Sequence, residues 1–448
     1  KIFIITLTIS KSTMILSVII LAAGQGTRMN SDIPKVFHEV GNYPMICHVL
    51  DLSQKLKAKS TTVVISKKLD NYKTLLLSKY QHIKFCYQNN QLGTAHAVLE
   101  ASKNNEIKET NTTLVLYGDT PSVTFKTLNA ALRDFDKKQL DLSVISMIVK
   151  DLKNSYGRLL IKKGKLNKII EKTEQTIEEK KIQLCNSGIM IIKTKHLFEK
   201  LKKIKNKNKK KEFYLTDLVE IFIKENYKVS NFNCKLGESM GVNNKEDLAK
   251  LEKQFQEEMR KKFLKKGVTL IDPPSVFFSK DTKIGKDVVI YPNVHFGPGV
   301  KIGDKVTIKS FCHIELTKIG NSSVIGPFAR LRGDTVIDNN AKVGNFVEIK
   351  KSNVSRDVKI SHLSYIGDSV IEKKSNIGAG TITCNFDGFK KNKTYIGENC
   401  FIGSNTSLIA PIKIKKNSVI GAGTVVDKNV QEGSVVYRKS KLIKKDKK

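Results

Sequence analysis

The chain has 448 residues, enough for two or three domains of ordinary size. It carries 79 basic and 43 acidic residues for a net charge of +36, and its 40% hydrophobic content supports real cores, which excludes wholesale disorder. Seven scattered cysteines form no Cys-x-x-Cys pair, which excludes a zinc ribbon or thioredoxin motif and points to reduced thiols and a cytoplasmic address.

The most apolar stretch, residues 15–23, is about half the length of a bilayer span, so no transmembrane helix is expected there. Residues 1–13 are apolar and Thr-rich but lack a signal-peptide cleavage site, and Met14 directly precedes a strong strand. Met14 is therefore read as the true start.

Apolar, β-branched runs at 15–21, 61–66, 83–88, 113–117 and 142–149 predict strands, and the stretches 45–56, 95–102 and 126–135 between them predict helices. This alternation predicts an α/β domain over 14–243, Rossmann-like, whose mostly parallel sheet binds ligands at the carboxyl ends of its strands. The lysine-rich run 200–211 has eight lysines and no aromatic residue for base stacking, so it reads as a solvated surface. Neither a nucleic acid nor a membrane is expected as partner. A linker helix is expected over 244–266. Leu248, Leu251, Phe255, Met259 and Phe263 share one face, Asn243 or Asn244 caps the start, and Gly267 ends it.

Beyond residue 267 an aliphatic or Phe side chain returns every six positions. One run goes from Ile284 through Ile290, Phe296 and Ile302 to Ile314; after a slip of one, a second goes from Ile319 to Ile349. Ile360, Ile366 and Ile377 follow, and a last run goes from Ile396 to Val426. This period predicts a left-handed parallel β-helix of hexapeptide repeats over 267–448, three hexapeptides to a triangular coil. A single insertion, residues 384–395, is expected to form a loop on one face.

Two constellations carry chemistry. The first strand runs into Leu21-Ala22-Ala23-Gly24-Gln25-Gly26-Thr27-Arg28-Met29, with Pro34-Lys35 behind it. Its glycines let the backbone approach phosphate, and Arg28 and Lys35 supply charge. Gln91-Leu92-Gly93-Thr94 and Tyr117-Gly118-Asp119 each follow a strand, and Asp119 sits where a magnesium ligand would. In the β-helix, polar residues cluster around Arg332, Lys350, His362 and 376–388. A coil of about eighteen residues places 332, 350 and 365–368 near one another, so Arg332, Lys350 and Tyr365 can converge on one phosphate group. An imidazole ordinarily titrates at about 6.5, which suits His362 to the role of general base. His295 and His313, eighteen apart, have a spacing similar to zinc-binding trimeric β-helix anhydrases, but no third histidine completes a set, so zinc is not expected.

The Leu21–Met29 signature with Pro34-Lys35, together with Tyr156-Gly157-Arg158, Ile170-Glu171-Lys172, Asn186-Ser187-Gly188 and Gly241-Val242-Asn243-Asn244, resembles the sugar-1-phosphate nucleotidyltransferases. With the β-helix and its run 378–388, the chain from 14 to 438 resembles the bacterial bifunctional N-acetylglucosamine-1-phosphate uridyltransferases/glucosamine-1-phosphate acetyltransferases. The resemblance implies that Leu21, Ala22, Ala23, Gly24, Gln88, Gly93 and Thr94 hold uracil and ribose, with Tyr117 and Gly118 beside them. Arg28 and Lys35 would face the triphosphate as catalytic cations, Asp119 and Asn243 would hold Mg2+, and Gly157, Glu171 and Asn186 would line the amino-sugar site. In the second half it implies Arg332, Lys350, Tyr365 and Asn376 for glucosamine 1-phosphate, and His362 as base. Ala379, Asn385, Phe386, Ser404, Ala422 and Arg438 would lie along the acetyl-CoA path. The family's acetyl site forms between subunits, so a homotrimer is implied. The substrates implied are UTP, N-acetylglucosamine 1-phosphate, glucosamine 1-phosphate and acetyl-CoA.

The sequence departs from the family in four places. Phe386 replaces a Tyr, Gly333-Asp334 replaces Pro-Gly, the tail lacks a Trp, and the stretch 431–438 is one residue shorter. The rival expectations are a uridyltransferase whose β-helix serves only as a trimerisation scaffold, and a non-catalytic subunit that senses nucleotide.

Overall fold

A computed structural model describes residues 14–152 and 154–439. The reading of residues 1–13, and the end of the lysine-rich tail, lie outside the described residues. The chain forms two compact units that divide between Glu252 and Lys253.

The first unit is built on a sheet of β1 (Leu16–Leu21), β2 (Ser60–Ile65), β3 (Ile83–Tyr87), β4 (Thr112–Tyr117), β5 (Leu142–Ile148), β6 (Arg158–Lys162), β7 (Lys165–Ile170), β8 (Leu184–Lys193) and β9 (Val229–Asn233). Its order is β3-β2-β1-β4-β8-β5-β9, with the β6–β7 hairpin attached through β8. All six residues of β1 are buried because both faces of the sheet are covered. Val18 and Ile20 enter one core while Ile19 and Leu21 enter the other, as the two-residue repeat of a strand requires. Strand β8 runs antiparallel to β4 and β5 and makes the sheet mixed. The polar Asn186-Ser187-Gly188 inside it hides its apolar periodicity from the sequence.

Not all of the lysine run is solvated. Lys200 is buried between Glu199 and Glu225, 2.7 Å from each. The helix at the junction spans Lys245–Leu264. Asn244 caps it by accepting from the Asp247 N–H at 2.8 Å, while the Asp247 carboxylate accepts from the Asn243 N–H at 3.0 Å. No helix among the described residues is long and apolar enough to cross a membrane.

The second unit is a triangular parallel β-helix. Its first face has ten strands, from Thr269–Leu270 to Val435–Val436. The second face has eight, from His295–Phe296 to Val425–Val426, and the third has eight, from Lys283–Ile284 to Ile412–Ile414. Ile290, Ile308, Ile325, Ile349, Ile360 and Ile366 are fully buried in one continuous core. The slip after Ile314 is a coil one residue shorter: Ile302 pairs with Ile319 rather than with residue 320. The insertion lies between Cys384 and Thr394, which end and begin strands.

The edge between the first and second faces carries an exposed apolar column. Phe311, Phe328 and Phe346 stack at 4.9 and 5.0 Å between ring centroids. Their φ angles of 60, 55 and 54° lie in the left-handed region that bulky residues rarely adopt. Leu363 continues the column at the next coil.

Candidate active sites

In the first unit the carboxyl ends of β1 and β4 lie side by side, Leu21 opposite Tyr117. Three strand-end segments are tied across this end. Ala22 N–H donates to the Val64 carbonyl at 2.8 Å, and Gly118 N–H to the Leu21 carbonyl at 2.9 Å. Gln91 reaches back to the Ala23 carbonyl at 2.7 Å. Gly26 must be glycine: its φ is 64°, and a Cβ there would lie 2.7 Å from the Lys35 Cβ.

The two expected metal ligands are brought together. Val242 N–H donates to the Asp119 carbonyl at 3.1 Å, which sets Asn243 beside Asp119. Each carries one of the two expected cations: Lys35 pairs with the Asp119 carboxylate, and Arg28 donates to Asn243 Oδ1 at 2.9 Å. One carboxylate and one amide oxygen fit Mg2+, which prefers a few hard oxygen ligands and completes its shell with water and substrate phosphate.

Buried Gln88 donates to the Gly93 carbonyl at 2.9 Å and fixes the loop before Thr94. Gly157 and Asn186 meet through the Asn186 N–H to Gly157 carbonyl bond at 2.8 Å. Tyr117 packs on Gly188, where a Cβ would come within 2.7 Å of the ring. Glu171 accepts from Thr216 Oγ1 at 2.9 Å, and burial holds its carboxyl above the ordinary range. Sequence reasoning missed the segment 213–217. It ties Thr94 to Glu171, because Leu215 N–H donates to Thr94 Oγ1 at 3.0 Å and Thr216 Oγ1 donates to Glu171. Asp217 beside them is raised to about 6, by burial and then by the Glu171 charge. The segment reads as an ordinary helix start, so no sequence signal marks it.

The β-helix separates its expected residues onto two edges. On the edge between the second and third faces, Arg332 pairs in register with Lys350, and Lys350 with Gly367. Tyr365 lies two positions back along the strand, opposite Glu348, because it follows Lys350 by fifteen residues and the coil is seventeen long. Its ring nevertheless crosses to the Arg332–Lys350 row: a Cβ on Gly367 would lie 2.6 Å from both the Tyr365 hydroxyl and Asn385 Nδ2. Asn385 also donates to Asp368 at 2.6 Å.

Lys391, from the insertion, joins this cluster and was not anticipated. Its amine lies against Lys350 and pushes that lysine below its ordinary range, with Arg332 adding to the effect. The loop holding Lys391 is braced by Asp387, which accepts from the Phe389 and Lys390 N–H groups and is lowered to about 2 by these bonds. Phe386 sits in the same loop, bridged to Lys391, and is exposed. Three crowded cations outnumber the carboxylates of Glu348, hydrogen-bonded to Arg332 at 2.7 Å, and of Asp368 near Lys350, and so describe an anion site.

His362 is not part of that cluster within one chain. It ends a strand of the first face, and the second-face strand Tyr365–Gly367 separates it from the cations. It pairs in register with Asn345, whose Oδ1 is hydrogen-bonded to Nδ1. An amide oxygen accepting from Nδ1–H leaves Nε2 with the free lone pair. Asn345 was not singled out in the sequence; its seventeen-residue offset from His362 is the only sequence signal for this contact.

The registers of the successive first-face strands continue the same line from His362 to Ala379, Ser404, Ala422 and Arg438. Asn376 also belongs to the first face, opposite Lys359 and Phe401, and is not brought to Arg332, Lys350 or Tyr365. His295 and His313 do stack, at 4.8 Å, but among the described residues no group of three or more His, Cys, Asp or Glu could hold a metal.

Residues 18–212 match the MobA-like NTP transferase domain. Residues 281–315 and 316–351 match the bacterial transferase hexapeptide, and 393–428 the hexapeptide repeat of succinyl-transferase. Over whole chains, the sequence is 42% identical to a protein of Wolbachia pipientis wMel named Bifunctional protein GlmU, covering 95% of this chain and 97% of that one. Proteins with the same name from Zymomonas mobilis (41% identical, 95% of this chain and 94% of that one) and Buchnera aphidicola (40%, 96% and 98%) are similar over the same extent.

Proposed function

The chain belongs to the family of bifunctional GlmU proteins, and from that premise we propose how its residues divide the work. It is a bifunctional transferase of UDP-N-acetylglucosamine synthesis, with a nucleotidyltransferase half and a hexapeptide acyltransferase half. The proposed domains are 14–243 for uridylyl transfer, the linker helix 244–266, and 267–448 for acetyl transfer, in a cytoplasmic enzyme.

In the acetyl half, the amine of glucosamine 1-phosphate attacks the thioester carbonyl of acetyl-CoA. His362 Nε2 takes the amine proton, the C–S bond breaks, and CoA leaves as the thiol. Asn345 acts as a positioning residue that fixes the tautomer. Arg332, Lys350 and the Tyr365 hydroxyl, with Lys391, hold the sugar phosphate. The separation of His362 from these cations supports a site completed by a second copy, the first edge of one chain meeting the second edge of its neighbour. A closed homotrimer satisfies every edge. The bare Phe311–Phe328–Phe346 column, on the same edge as His362, supports that packing.

In the nucleotidyl half, a phosphate oxygen of N-acetylglucosamine 1-phosphate attacks the α-phosphorus of UTP, and pyrophosphate leaves. No protein nucleophile is needed; positioning and charge neutralisation carry the rate. Asp119 and Asn243 would hold Mg2+, which supplies neutralisation of the phosphate oxygens. Lys35 and Arg28, now on those two side chains, would turn to the triphosphate. Gln88, Gly93 and Thr94 take the nucleoside, and Gly157, Glu171 and Asn186 the amino sugar.

The observation that carries this reading is the pairing of Asp119 with Lys35 and of Asn243 with Arg28 at the strand ends. Asp119→Ala is expected to abolish pyrophosphate release while acetyl transfer continues. Persistent pyrophosphate release would overturn the metal assignment.

A further inference from the structure

The ladder that starts at His362 does not stop at a plain strand end. The register of Val419–Ile420 with Val435–Val436 sets Tyr437 level with Gly421, and Arg438 level with Ala422. Gly421 N–H donates to the Val436 carbonyl at 2.7 Å, which locks this last coil onto the one before.

Beside the ladder, on the first face, the positions in register on three successive coils are Gly378, Gly403 and Gly421. A Cβ on Gly378 would lie 2.6 Å from the backbone of Gly403, and one on Gly403 2.5 Å from that of Ala422, so both positions are bare by necessity. A Cβ on Gly421 would strike the Tyr437 Cβ at 2.7 Å. The result is a shallow trough without side chains that begins next to His362 and ends at the Tyr437 ring, which is 69% exposed.

The length of this trough selects its occupant. His362 to Arg438 is four coil steps of about 4.8 Å, roughly 19 Å in all. From its sulfur to its ribose, coenzyme A is a thin chain with the reach of about six extended residues, roughly 20 Å. With the thioester at His362, the uncharged pantetheine arm fits the bare trough, the phosphates arrive at Arg438, and the adenine arrives at Tyr437. An exposed aromatic ring beside a guanidinium is what a nucleobase with flanking phosphates requires.

We propose that Tyr437 is the platform on which the adenine of acetyl-CoA stacks, so that the coil carrying Val435–Val436 confers the preference for the nucleotide-bearing donor. The proposal rests on the acetyl-donor reading given above.

The test compares acetyl-CoA with S-acetyl-pantetheine, which lacks the adenine nucleotide, on the full-length protein. Tyr437→Ala should raise KM for acetyl-CoA roughly 5- to 150-fold, the range for losing one base–aromatic stack. It should leave kcat for acetyl-CoA and kcat/KM for S-acetyl-pantetheine within about twofold of the parent. Tyr437→Phe should behave as the parent, and Tyr437→Leu, with bulk but no π face, as Tyr437→Ala. Uridylyl transfer, unchanged in every variant, reports that the chains fold. An unchanged KM for acetyl-CoA in Tyr437→Ala overturns the proposal, as does an equal loss with both donors, which would make Tyr437 a packing residue. Absence of acetyl transfer by the unmodified protein overturns the underlying reading instead, and the proposal with it.

Discussion

Two variants that each lack acetyl transfer should restore it when they share a trimer. His362→Ala removes the base from the first edge, and Lys350→Ala removes a phosphate ligand from the second. A positioned base is worth about 10²–10⁴-fold. A charge-assisted hydrogen bond is worth about 1.5–3 kcal/mol, roughly 10- to 150-fold at subsaturating glucosamine 1-phosphate. Each homotrimer should therefore keep less than about a tenth of the parent rate. In a closed ring, every site takes the first edge from one chain and the second edge from the next. Any ring containing both variants has three interfaces: one between like chains, with one damaged edge; one with both edges damaged; and one with both edges intact.

Co-expression with two different tags and sequential affinity purification isolates such mixed rings. Thiol release from acetyl-CoA should then recover to about one third of the parent rate, whichever variant is in the majority. Uridylyl transfer should be normal throughout, because its residues lie in the other unit. If the mixed rings show no more than the average of the two parents, His362 and Lys350 serve the same site within one chain. The strand Tyr365–Gly367 would then not separate them functionally, and the two-edge argument would fall.

Three further outcomes follow from individual contacts. Asn345→Leu removes the hydrogen bond that fixes the His362 tautomer; at about 1 kcal/mol this costs roughly fivefold in kcat for acetyl transfer with KM for acetyl-CoA unchanged, and Asn345→Gln or Ser should recover part of it. Glu171→Gln should raise KM for N-acetylglucosamine 1-phosphate and also raise Tm. Burial lifts the folded-state pKa of Glu171, so the folded state prefers the protonated carboxyl and the wild-type stability cost grows as pH rises through that pKa. The Tm advantage of Glu171→Gln, followed by calorimetry, should therefore be larger at pH 8 than at pH 5, and a constant or reversed difference would contradict it. Ile366→Ala empties a fully buried rung of the solenoid and should cost about 2–5 kcal/mol in denaturant unfolding of the second unit, with uridylyl transfer retained.

What was legible in the sequence tracks how local the physics is. The six-residue period is visible because each inward rung must be aliphatic or Phe, and Ile360 and Ile366 have no other way to be buried. The glycine turn after β1 is visible because Gly26 needs a left-handed φ close against Lys35. What stayed hidden depends on register. Arg332 and Lys350 are eighteen apart and pair in register, but Tyr365 follows Lys350 by only fifteen residues, so it lies opposite Glu348 and reaches the row by folding its ring across Gly367. His362 ends a first-face strand and so occupies the other corner, and no periodicity argument marks the difference between sharing a coil and sharing a pocket. Lys391 enters through the insertion, where no repeat constrains it, and Arg28 meets Asn243 across 215 residues with nothing between them to announce it. A repeat sequence therefore reports faithfully on what points inward, because every coil imposes the same demand there. Its chemistry points outward, where each coil is free to differ, and which outward residues share an edge is decided by the corner of its coil that each one occupies.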